Sequence, residues 1–288
     1  VRSSAASDVY KRQGNVSATI AQDSTDGGNI YLFTQGQDFN TGEITGHKTV
    51  SLDARDMSLI LNGAVSGGDL ILNGAKNVEF NALASATNSI IVTAGEFIKQ
   101  GADLDKALAA GGNLTLSGTN VGENDIALDF TSGGVVDVNA STGLINVNSV
   151  DADVTFGTVS AGTDIKLGSS GGTNGGKITL SNDLTANNGS ITIDSAKDLE
   201  LSKNITASGN VNLNSQNGIN QTGGKVSSTG ADVNVTNSSG NVNLNSIAGG
   251  NIDINSTAQN GTVTVGGLDA AQNVNVFSGG DTAVSYTH

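Results

Sequence analysis

The sequence contains no cysteine, no proline and no tryptophan, and aromatic residues make up only 3% of it. The absence of cysteine excludes disulfides, thiolate metal sites and cysteine nucleophiles. The absence of proline beside 40 glycines argues against a proline-rich linker or collagen, and it suits many tight turns. The shortage of aromatic rings is unusual for the core of a globular enzyme, but it suits an interior of small aliphatic side chains.

Basic residues are also scarce. The 288 residues carry 13 Lys and Arg against 27 Asp and Glu, which gives a net charge of −14, and no Lys or Arg follows Lys225. Because nucleic acids and anionic membranes need a basic face, we expect neither as a partner. No apolar run approaches the roughly 20 residues of a membrane-spanning helix, so we also expect no membrane insertion.

The most regular feature of the sequence is a short repeat. From Leu184 to Leu268, an apolar residue opens a three-residue segment every 21 residues, and fuller alternating segments such as Ile191–Ile193 lie between these positions. Alternation with a period of two puts Val, Ile and Leu on one face and Asn, Thr, Ser and Asp on the other. A period of 19 to 22 residues is too short for an independent core, so it predicts a solenoid.

We therefore predict an all-β fold, a single-stranded right-handed parallel β-helix of about 11 coils with three short strands per coil. Successive coils stack about 4.8 Å apart, so equivalent apolar side chains form columns inside. The strands of a coil are called first, second and third in chain order. First strands are predicted to begin at Ile30, Val50, Leu70, Ile90, Ile126, Ile145, Ile165, Ile191, Val211, Val233, Ile252 and Val274. Second strands are predicted near Phe39, Leu59, Val78, Leu114, Val136, Val154, Ile178, Leu199, Ile219, Val242 and Val263. Third strands are predicted near Ile44, Val65, Leu83, Val121, Ala140, Val159, Leu184, Ile205, Val226, Ile247 and Leu268.

The corner before each first strand has a recurring chemistry. The last corner residue is Asn, Asp or Ser in ten of twelve coils, as at Asp69, Asn210 and Asp232. These side chains bond neighbouring backbone and suit tight turns. A calcium ladder is the alternative, but carboxylates seldom occupy neighbouring coils, so we expect no metal site.

Two insertions interrupt the spacing, both at the predicted corner between first and second strands. The first, about Thr93 to Gly111, contains Ala102–Ala110, whose composition predicts a short helix near residues 95–110. The second, Gly168–Gly176, predicts a flexible polar loop. Insertions at one edge of a solenoid either form a binding face or are tolerated without a function of their own. The candidate partner contacts are the charged residues Glu96, Lys99, Asp103, Asp105 and Lys106.

Catalytic constellations are sparse. His47, on a turn, and His288 are the only histidines, so no Ser-His-Asp arrangement can be argued. Two pairs of acids that are close in sequence, Asp151 with Asp153 and Asp103 with Asp105, are the nearest candidates for paired carboxylates. We predict no catalytic, cofactor-binding or metal-binding residues and no cofactor. The alternative is a glycan-active β-helix enzyme of the polysaccharide lyase or hydrolase kind.

Both ends depart from the repeat. The stretches Ser7–Gln13 and Val284–His288 resemble translated sequencing-adapter sequence, as found at the ends of metagenomic reading frames. We expect residues 1–13 and 284–288 to be non-native or disordered tails. Between them, residues 14–283 are predicted to form one parallel β-helix domain from a longer protein.

The repeat also carries a family resemblance. Its first segment reads Gly, then Asn, Ser or Asp, then alternating aliphatics, as in Gly209–Leu213 and Gly250–Ile254, and its third segment is typified by Ile205–Ala207. Over roughly Gly14–Ala283 the chain resembles the repeat region of filamentous-haemagglutinin-like exoproteins, the β-helical adhesins of two-partner secretion, and related autotransporter passengers.

The resemblance implies a non-enzymatic structural or binding segment of a large secreted bacterial adhesin, extracellular or on the cell surface, that presents corner loops for attachment. Host-cell or matrix glycans or proteins would be its partners, with an outer-membrane transporter during export. The segment itself would be monomeric within its longer chain. A passive surface-protein spacer remains a further alternative.

Overall fold

The computed structural model describes residues 16–19, 28–171 and 175–284. The predicted tail 1–13 and residues 285–288 lie outside the described residues, whereas Val284 ends the last strand. The described elements are all β-strands, without a helix, and about 12 solenoid turns follow one another along the chain. Accordingly, the described residues include no helix that could cross a membrane. The chain divides into two compact units, Val1–Val135 and Val136–His288.

The described residues of unit 1 form short strands separated by tight corners. The strands are β1 Val16–Thr19, β2 Ile30–Thr34, β3 Phe39–Thr45, β4 Thr49–Ala54, β5 Leu59–Leu61, β6 Val65–Gly67, β7 Asp69–Gly74, β8 Val78–Phe80, β9 Ala84–Ala86, β10 Ile90–Ala94, β11 Phe97–Gln100, β12 Leu108–Ala110, β13 Leu114–Gly118, β14 Asn120–Val121 and β15 Leu128–Ser132.

Parallel pairing stacks the coils of unit 1 in register. The first strands β2, β4, β7, β10 and β13 pair in that order. The second strands β3, β5, β8, β11 and β14 form the next stack. β3 also serves as the third strand of its coil, because Ile44 pairs with Val65 of β6. The stack continues through the third strands β9, β12 and β15.

Unit 2 has the same three-stranded construction. Its strands are β16 Val135–Ala140, β17 Ile145–Val150, β18 Val154–Ala161, β19 Ile165–Ser170, β20 Ile178–Leu180, β21 Leu184–Ala186, β22 Ile191–Ser195, β23 Asp198–Leu201, β24 Ile205–Ala207, β25 Val211–Ser215, β26 Gly218–Gln221, β27 Val226–Ser228, β28 Val233–Asn237, β29 Val242–Leu244, β30 Ile247–Gly249, β31 Ile252–Ser256, β32 Thr262–Val265, β33 Leu268–Ala270, β34 Val274–Ser278 and β35 Asp281–Val284.

The predicted register of unit 2 is confirmed from Ile145 onward. The first strands β17, β19, β22, β25, β28, β31 and β34 pair in parallel, each predicted starting residue on the next. β18 supplies both the second and the third strand of its coil, because Val154 pairs with β20 and Val159 with β21. The second strands continue in parallel through β20, β23, β26, β29, β32 and β35. The third strands continue through β21, β24, β27, β30 and β33. Repeating residues at constant offsets therefore occupy equivalent positions in successive coils.

The interior consists of the predicted columns. Ile165, Ile191 and Val211 stack in one first-strand column of unit 2, and each has no exposed surface. Burial of such a side chain contributes about 1.5–3 kcal/mol, so the columns are the main source of stability. The few aromatic residues are used inside as well, since Phe39, Phe80, Phe130 and Phe156 are among the largest fully buried side chains.

The Asn, Asp and Ser residues before the first strands bind the coils together. The Oδ1 atom of Asp69 accepts a hydrogen bond from the backbone N–H of Ser89, its counterpart one coil later, at 3.1 Å. Asn210 accepts from the N–H of Asp232 at 3.1 Å, and Asp232 accepts from the N–H of Asn251 at 2.7 Å. We call this set of bonds the corner ladder. In each, the earlier coil supplies the side-chain acceptor and the later coil the backbone donor.

The predicted register is wrong between Ile90 and Ile126. Leu114 was predicted to open a second strand, but it pairs with Ile90 and therefore opens a first strand. Val121, predicted on a third strand, pairs with Ile98 on a second strand. Ile126 opens no strand, and the third strand β15 begins two residues later. The extra residues thus lie between second and third strands and are shared by two successive coils.

The predicted helix near 95–110 is also wrong. Residues 97–100 and 108–110 are strands β11 and β12, and Leu108 and Ala110 pair with Ala84 and Ala86 of β9. Of the helix-favouring alanines, Ala110 points inward and pairs with Ala86 and Ser132, whereas Ala109 points outward. Parallel pairing on both sides of β12 outweighs their helix propensity.

The second predicted loop, Gly168–Gly176, is shorter than expected. Its first residues, Gly168 to Ser170, continue strand β19 and pair with β17. Residues 172–174 lie outside the described residues. Ser169 turns inward, and its hydroxyl donates a hydrogen bond to the carbonyl of Gly176 at 2.6 Å, which ties the two sides of the corner together.

Candidate functional site

Two loops of unit 1 extend from the same corner of neighbouring coils. Loop A, residues 101–107, connects β11 to β12, and loop B, residues 122–127, connects β14 to β15. Ile98 pairs with Val121 where the loops leave the stack, and Leu108 pairs with Phe130 where they return. Their ends are therefore one strand spacing apart, about 4.8 Å. The two loops therefore lie side by side on this edge of the unit.

Loop A contains most of the predicted contact residues. Asp103 and Asp105 are exposed at its tip, while Lys106 is half-buried at its base. Inside the loop, the N–H of Leu104 donates to the carbonyl of Gly101 at 3.1 Å, a single turn that does not continue into a helix. Loop B adds the exposed residues Asn124 and Asp125, so the combined surface is predominantly acidic.

The other two predicted contact residues, Glu96 and Lys99, lie outside the loops. Glu96 is exposed at the corner that precedes β11. Lys99 points outward from β11, and its Nζ lies 3.5 Å from the Oε2 of Glu79 on the neighbouring strand β8. An ion pair that is about one-third exposed contributes little to stability, but it does occupy the lysine. The structure thus groups Asp103, Asp105 and Lys106 on one loop, whereas Lys99 lies on β11, the strand that leads into the loop, and Glu96 lies at the corner before that strand.

The side chain of Gln100 anchors loop A by hydrogen bonds, a role that was not predicted from the sequence. Its side chain is 5% exposed, and its Nε2 donates to the carbonyl of Leu104 and to the Oδ2 of Asp129, each at 2.9 Å. Its Oε1 accepts the backbone N–H of Asp129 at 2.7 Å. One buried amide therefore links loop A to β15, the strand that follows loop B.

Backbone hydrogen bonds strengthen this attachment. The carbonyl of Ala107 accepts the N–H of Ala84 and its N–H donates to the carbonyl of Asp129, both at 2.9 Å. In loop B, the N–H of Gly122 donates to the carbonyl of Ile98 at 2.8 Å, with a φ of 78° that favours glycine. The loops are therefore anchored at their bases, and their charged tips face solvent.

The residues considered for catalysis, Asp151, Asp153 and His47, lie at corners between strands. Asp151 is exposed in the left-handed region with a φ of 54°, and the Oδ1 of Asp153 accepts the N–H of Lys177 at 3.0 Å. His47 is exposed on its turn. Within residues 16–19, 28–171 and 175–284, no group of three or more His, Cys, Asp or Glu is arranged to hold a metal ion.

Unit 2 carries a shallow polar groove along the end of its first strands. Eight of its nine lining residues carry a hydroxyl, amide or carboxylate group, among them Asp194, Asn214, Gln216, Thr236 and Ser238. Along its wall the Nδ2 of Asn214 donates to the Oδ1 of Asp194 at 2.6 Å. These outward side chains thus bond to one another across coils.

A buried hydroxyl column beneath this groove was also missed. Its members lie four residues after each first-strand start, namely Ser149, Ser169, Ser195, Ser215 and Ser256, with Asn237 in the fifth of these six coils. Ser195 and Ser215 each donate to the carbonyl three residues later, at 2.8 and 2.9 Å. Recurrence of Ser at this constant offset was the available signal. These residues lie at or next to the end of each first strand, where the corner begins.

Comparison of the chain with protein-family models, with curated proteins and with solved structures gave no match.

Proposed function

We propose that this chain is a non-enzymatic structural and binding segment of a large secreted bacterial adhesin, extracellular or at the cell surface. Loops A and B are its attachment surface, and host-cell or matrix glycans or proteins are its partners. Export through an outer-membrane transporter belongs to the same proposal. It rests on the parallel solenoid fold together with the repeat resemblance described above.

The single observation that carries the attachment surface is the anchoring of loops A and B. Most corners in unit 1 are short, such as the three residues 81–83 between β8 and β9, whereas loop A has seven. The buried Gln100 amide fixes this longer excursion to the next coil. A surface that is already ordered loses less entropy on binding, so an anchored loop suits recognition better than an unattached one.

The test shortens loop A without disturbing the strands. Residues 102–106 are replaced by one alanine, which reproduces the length of corner 81–83 one coil earlier. Binding of the purified chain to host-cell monolayers and to an array of matrix glycans is then compared with that of the unaltered chain. We expect binding by the unaltered chain and loss of most of it in the shortened variant.

Two controls separate the explanations. Asp103→Asn, Asp105→Asn and Lys106→Gln together keep the loop length and remove its charges, and Lys203→Gln with Asp269→Asn changes charges on unit 2 alone. The unit 2 variant should bind like the unaltered chain. Binding that is unchanged by the shortened loop contradicts the proposed surface, and no binding by any variant favours the passive spacer.

The enzyme alternative predicts a different result. A glycan-active β-helix needs converging acids and bases over its substrate, and it would release new reducing ends from a polysaccharide. Incubation of the chain with acidic and neutral polysaccharides, followed by an assay for reducing ends, should show no release under the present proposal. Catalytic release at a rate proportional to the protein concentration would overturn it.

A further inference from the structure

Six Asn-Gly pairs occur along the chain, at 62–63, 73–74, 174–175, 188–189, 217–218 and 260–261. Glycine has no Cβ, so its backbone nitrogen is unshielded and its backbone adopts conformations closed to other residues. In such a pair, that nitrogen can reach the side-chain amide carbon of the preceding asparagine. Reaction therefore depends on how freely the asparagine amide and the glycine backbone can move.

Three of these pairs are held by hydrogen bonds between coils. The amide of Asn62 donates to Asn40 Oδ1 at 3.3 Å and accepts from Asn81 Nδ2 at 3.1 Å. The amide of Asn217 donates to Asp198 Oδ1 at 2.8 Å. Asn73 lies within β7 and is paired on both sides, with Asp53 and Thr93.

Two other pairs lie in exposed corners outside the strands. Asn260 is exposed in the corner between β31 and β32, where the N–H of Gly261 reaches the carbonyl of Ala258 only at a long 3.4 Å. Asn188 is exposed in the corner between β21 and β22, where its backbone N–H donates to the carbonyl of Gly162 at 3.1 Å. Among the described residues, the side-chain amides of Asn188 and Asn260 make no hydrogen bond of the kind that holds those of Asn62 and Asn217. The sixth pair includes Asn174, which lies outside the described residues.

We propose that Asn188 and Asn260 are sites of spontaneous deamidation and that the coil-to-coil hydrogen bonds protect Asn62, Asn73 and Asn217. The glycine nitrogen loses its proton to base and bonds to the asparagine Cγ, and the side-chain nitrogen leaves as ammonia. Water then opens the resulting succinimide at either carbonyl to give aspartate or isoaspartate. Each conversion exchanges an amide for a carboxylate and adds one negative charge.

The aspartate product is compatible with the coil architecture. Asp232 stands in the corner ladder between Asn210 and Asn251, so asparagine and aspartate occupy equivalent places. The isoaspartate product instead lengthens the backbone by one methylene. A Cβ built on Gly261 would clash with the carbonyl oxygen of Gly240, so the neighbouring coil leaves little room for a longer backbone here. We therefore expect the added charge to persist and the isoaspartate form to loosen the Asn260 corner.

The experiment incubates the full chain at about pH 9 and about pH 7 and follows each Asn-Gly peptide by mass spectrometry, since base accelerates loss of the glycine proton. Conversion adds about 1 Da, and isoaspartate separates from aspartate by chromatography. We expect Asn188 and Asn260 to convert about tenfold faster than Asn62, Asn73 and Asn217, because breaking a hydrogen bond adds about 1.4 kcal/mol to a barrier.

An unfolded control identifies the cause. In concentrated denaturant the sites should convert at similar rates, since no coil then holds any amide. The variant Asn188→Gln with Asn260→Gln should remove the fast conversions and leave the slow ones. Equal rates at all five sites in the folded chain, or faster conversion at Asn62 or Asn217, would overturn the proposal.

Discussion

Two buried glutamines occupy inward positions that other coils give to leucine or phenylalanine. Gln221 pairs with Leu201 in the second-strand column of unit 2, and Gln100 pairs with Phe80 in unit 1. Each is 5% exposed. A buried amide is tolerated only when its donors and acceptor are all used, and these two satisfy the corner backbone that follows them.

Gln221 permits a direct test of this role. Its Nε2 donates to the carbonyls of Gly224 and Ser246 at 2.9 and 3.2 Å, and its Oε1 accepts the N–H of Asn245 at 3.0 Å. We expect Gln221→Leu to lower the free energy of unfolding by about 2–3 kcal/mol, although leucine fits the column, because backbone groups lose their partners. Urea unfolding followed by circular dichroism measures the change.

Leu201→Met is the matched control one coil earlier, since it changes shape but adds no polar group. It should cost less than about 1.5 kcal/mol. A Gln221→Leu variant that is as stable as the unaltered chain would show that the amide is not needed at this corner.

The strands of successive coils are short and similar, and the corners between them carry the side-chain hydrogen bonds of the corner ladder. In the corner ladder, Asp232 accepts the backbone N–H of Asn251 at 2.7 Å and its Nδ2 at 3.0 Å. We expect Asp232→Ala to lower the free energy of unfolding by about 1–2 kcal/mol, as loss of a capping side chain does at a helix end. Thermal and urea unfolding of the variant would measure it.

Asp232→Asn supplies the comparison, because asparagine keeps the Oδ1 acceptor used elsewhere in the ladder, as at Asn210. It should change stability by no more than about 0.5 kcal/mol. If both substitutions cost the same, charge rather than the acceptor geometry would be responsible.

The repeat was readable from sequence where apolar residues recur at near-constant offsets, as from Ile145 to Val274. There the predicted starts of all three strands are confirmed. The reading failed at residues 95–110, because Leu104 and Leu108 form a helical pair locally and the alanines favour a helix. Only the neighbouring coils, through Ala84 and Ala86, make the segment a strand. That information is not local, so periodicity within the segment could not supply it.

The candidate surface was predictable only in part. Charged residues at an insertion pointed to Asp103, Asp105 and Lys106, and the structure gathers these three on loop A. Loop B was missed because the misplaced register at Leu114 assigned its residues to a strand. Gln100 was missed because a single glutamine carries no pattern, and its partner Asp129 lies 29 residues away.

On the scale of the whole chain, one arrangement accounts for the composition. Aliphatic side chains fill the columns, so few aromatic rings are needed, and outward Asn, Thr and Asp bond to their counterparts in adjacent coils. The amide of Asn234 donates to Asn212 Oδ1 at 2.9 Å, and that of Asn275 to Asp253 Oδ1 at 2.6 Å. Aliphatic residues thus recur at inward positions and polar residues at outward positions in successive coils.

The absence of cysteine allows this stacking to be measured directly by disulfide trapping. Asn212 and Asn234 are partners on β25 and β28, so their Cα atoms should lie about 4.8 Å apart, within disulfide range. Asn214 and Asn234 are offset by two residues, at about 8 Å, beyond that range. After mild oxidation, mass spectrometry should find an intramolecular disulfide in Asn212→Cys with Asn234→Cys and none in Asn214→Cys with Asn234→Cys. Equal trapping in both variants, or trapping in the offset variant alone, would contradict the stacked register.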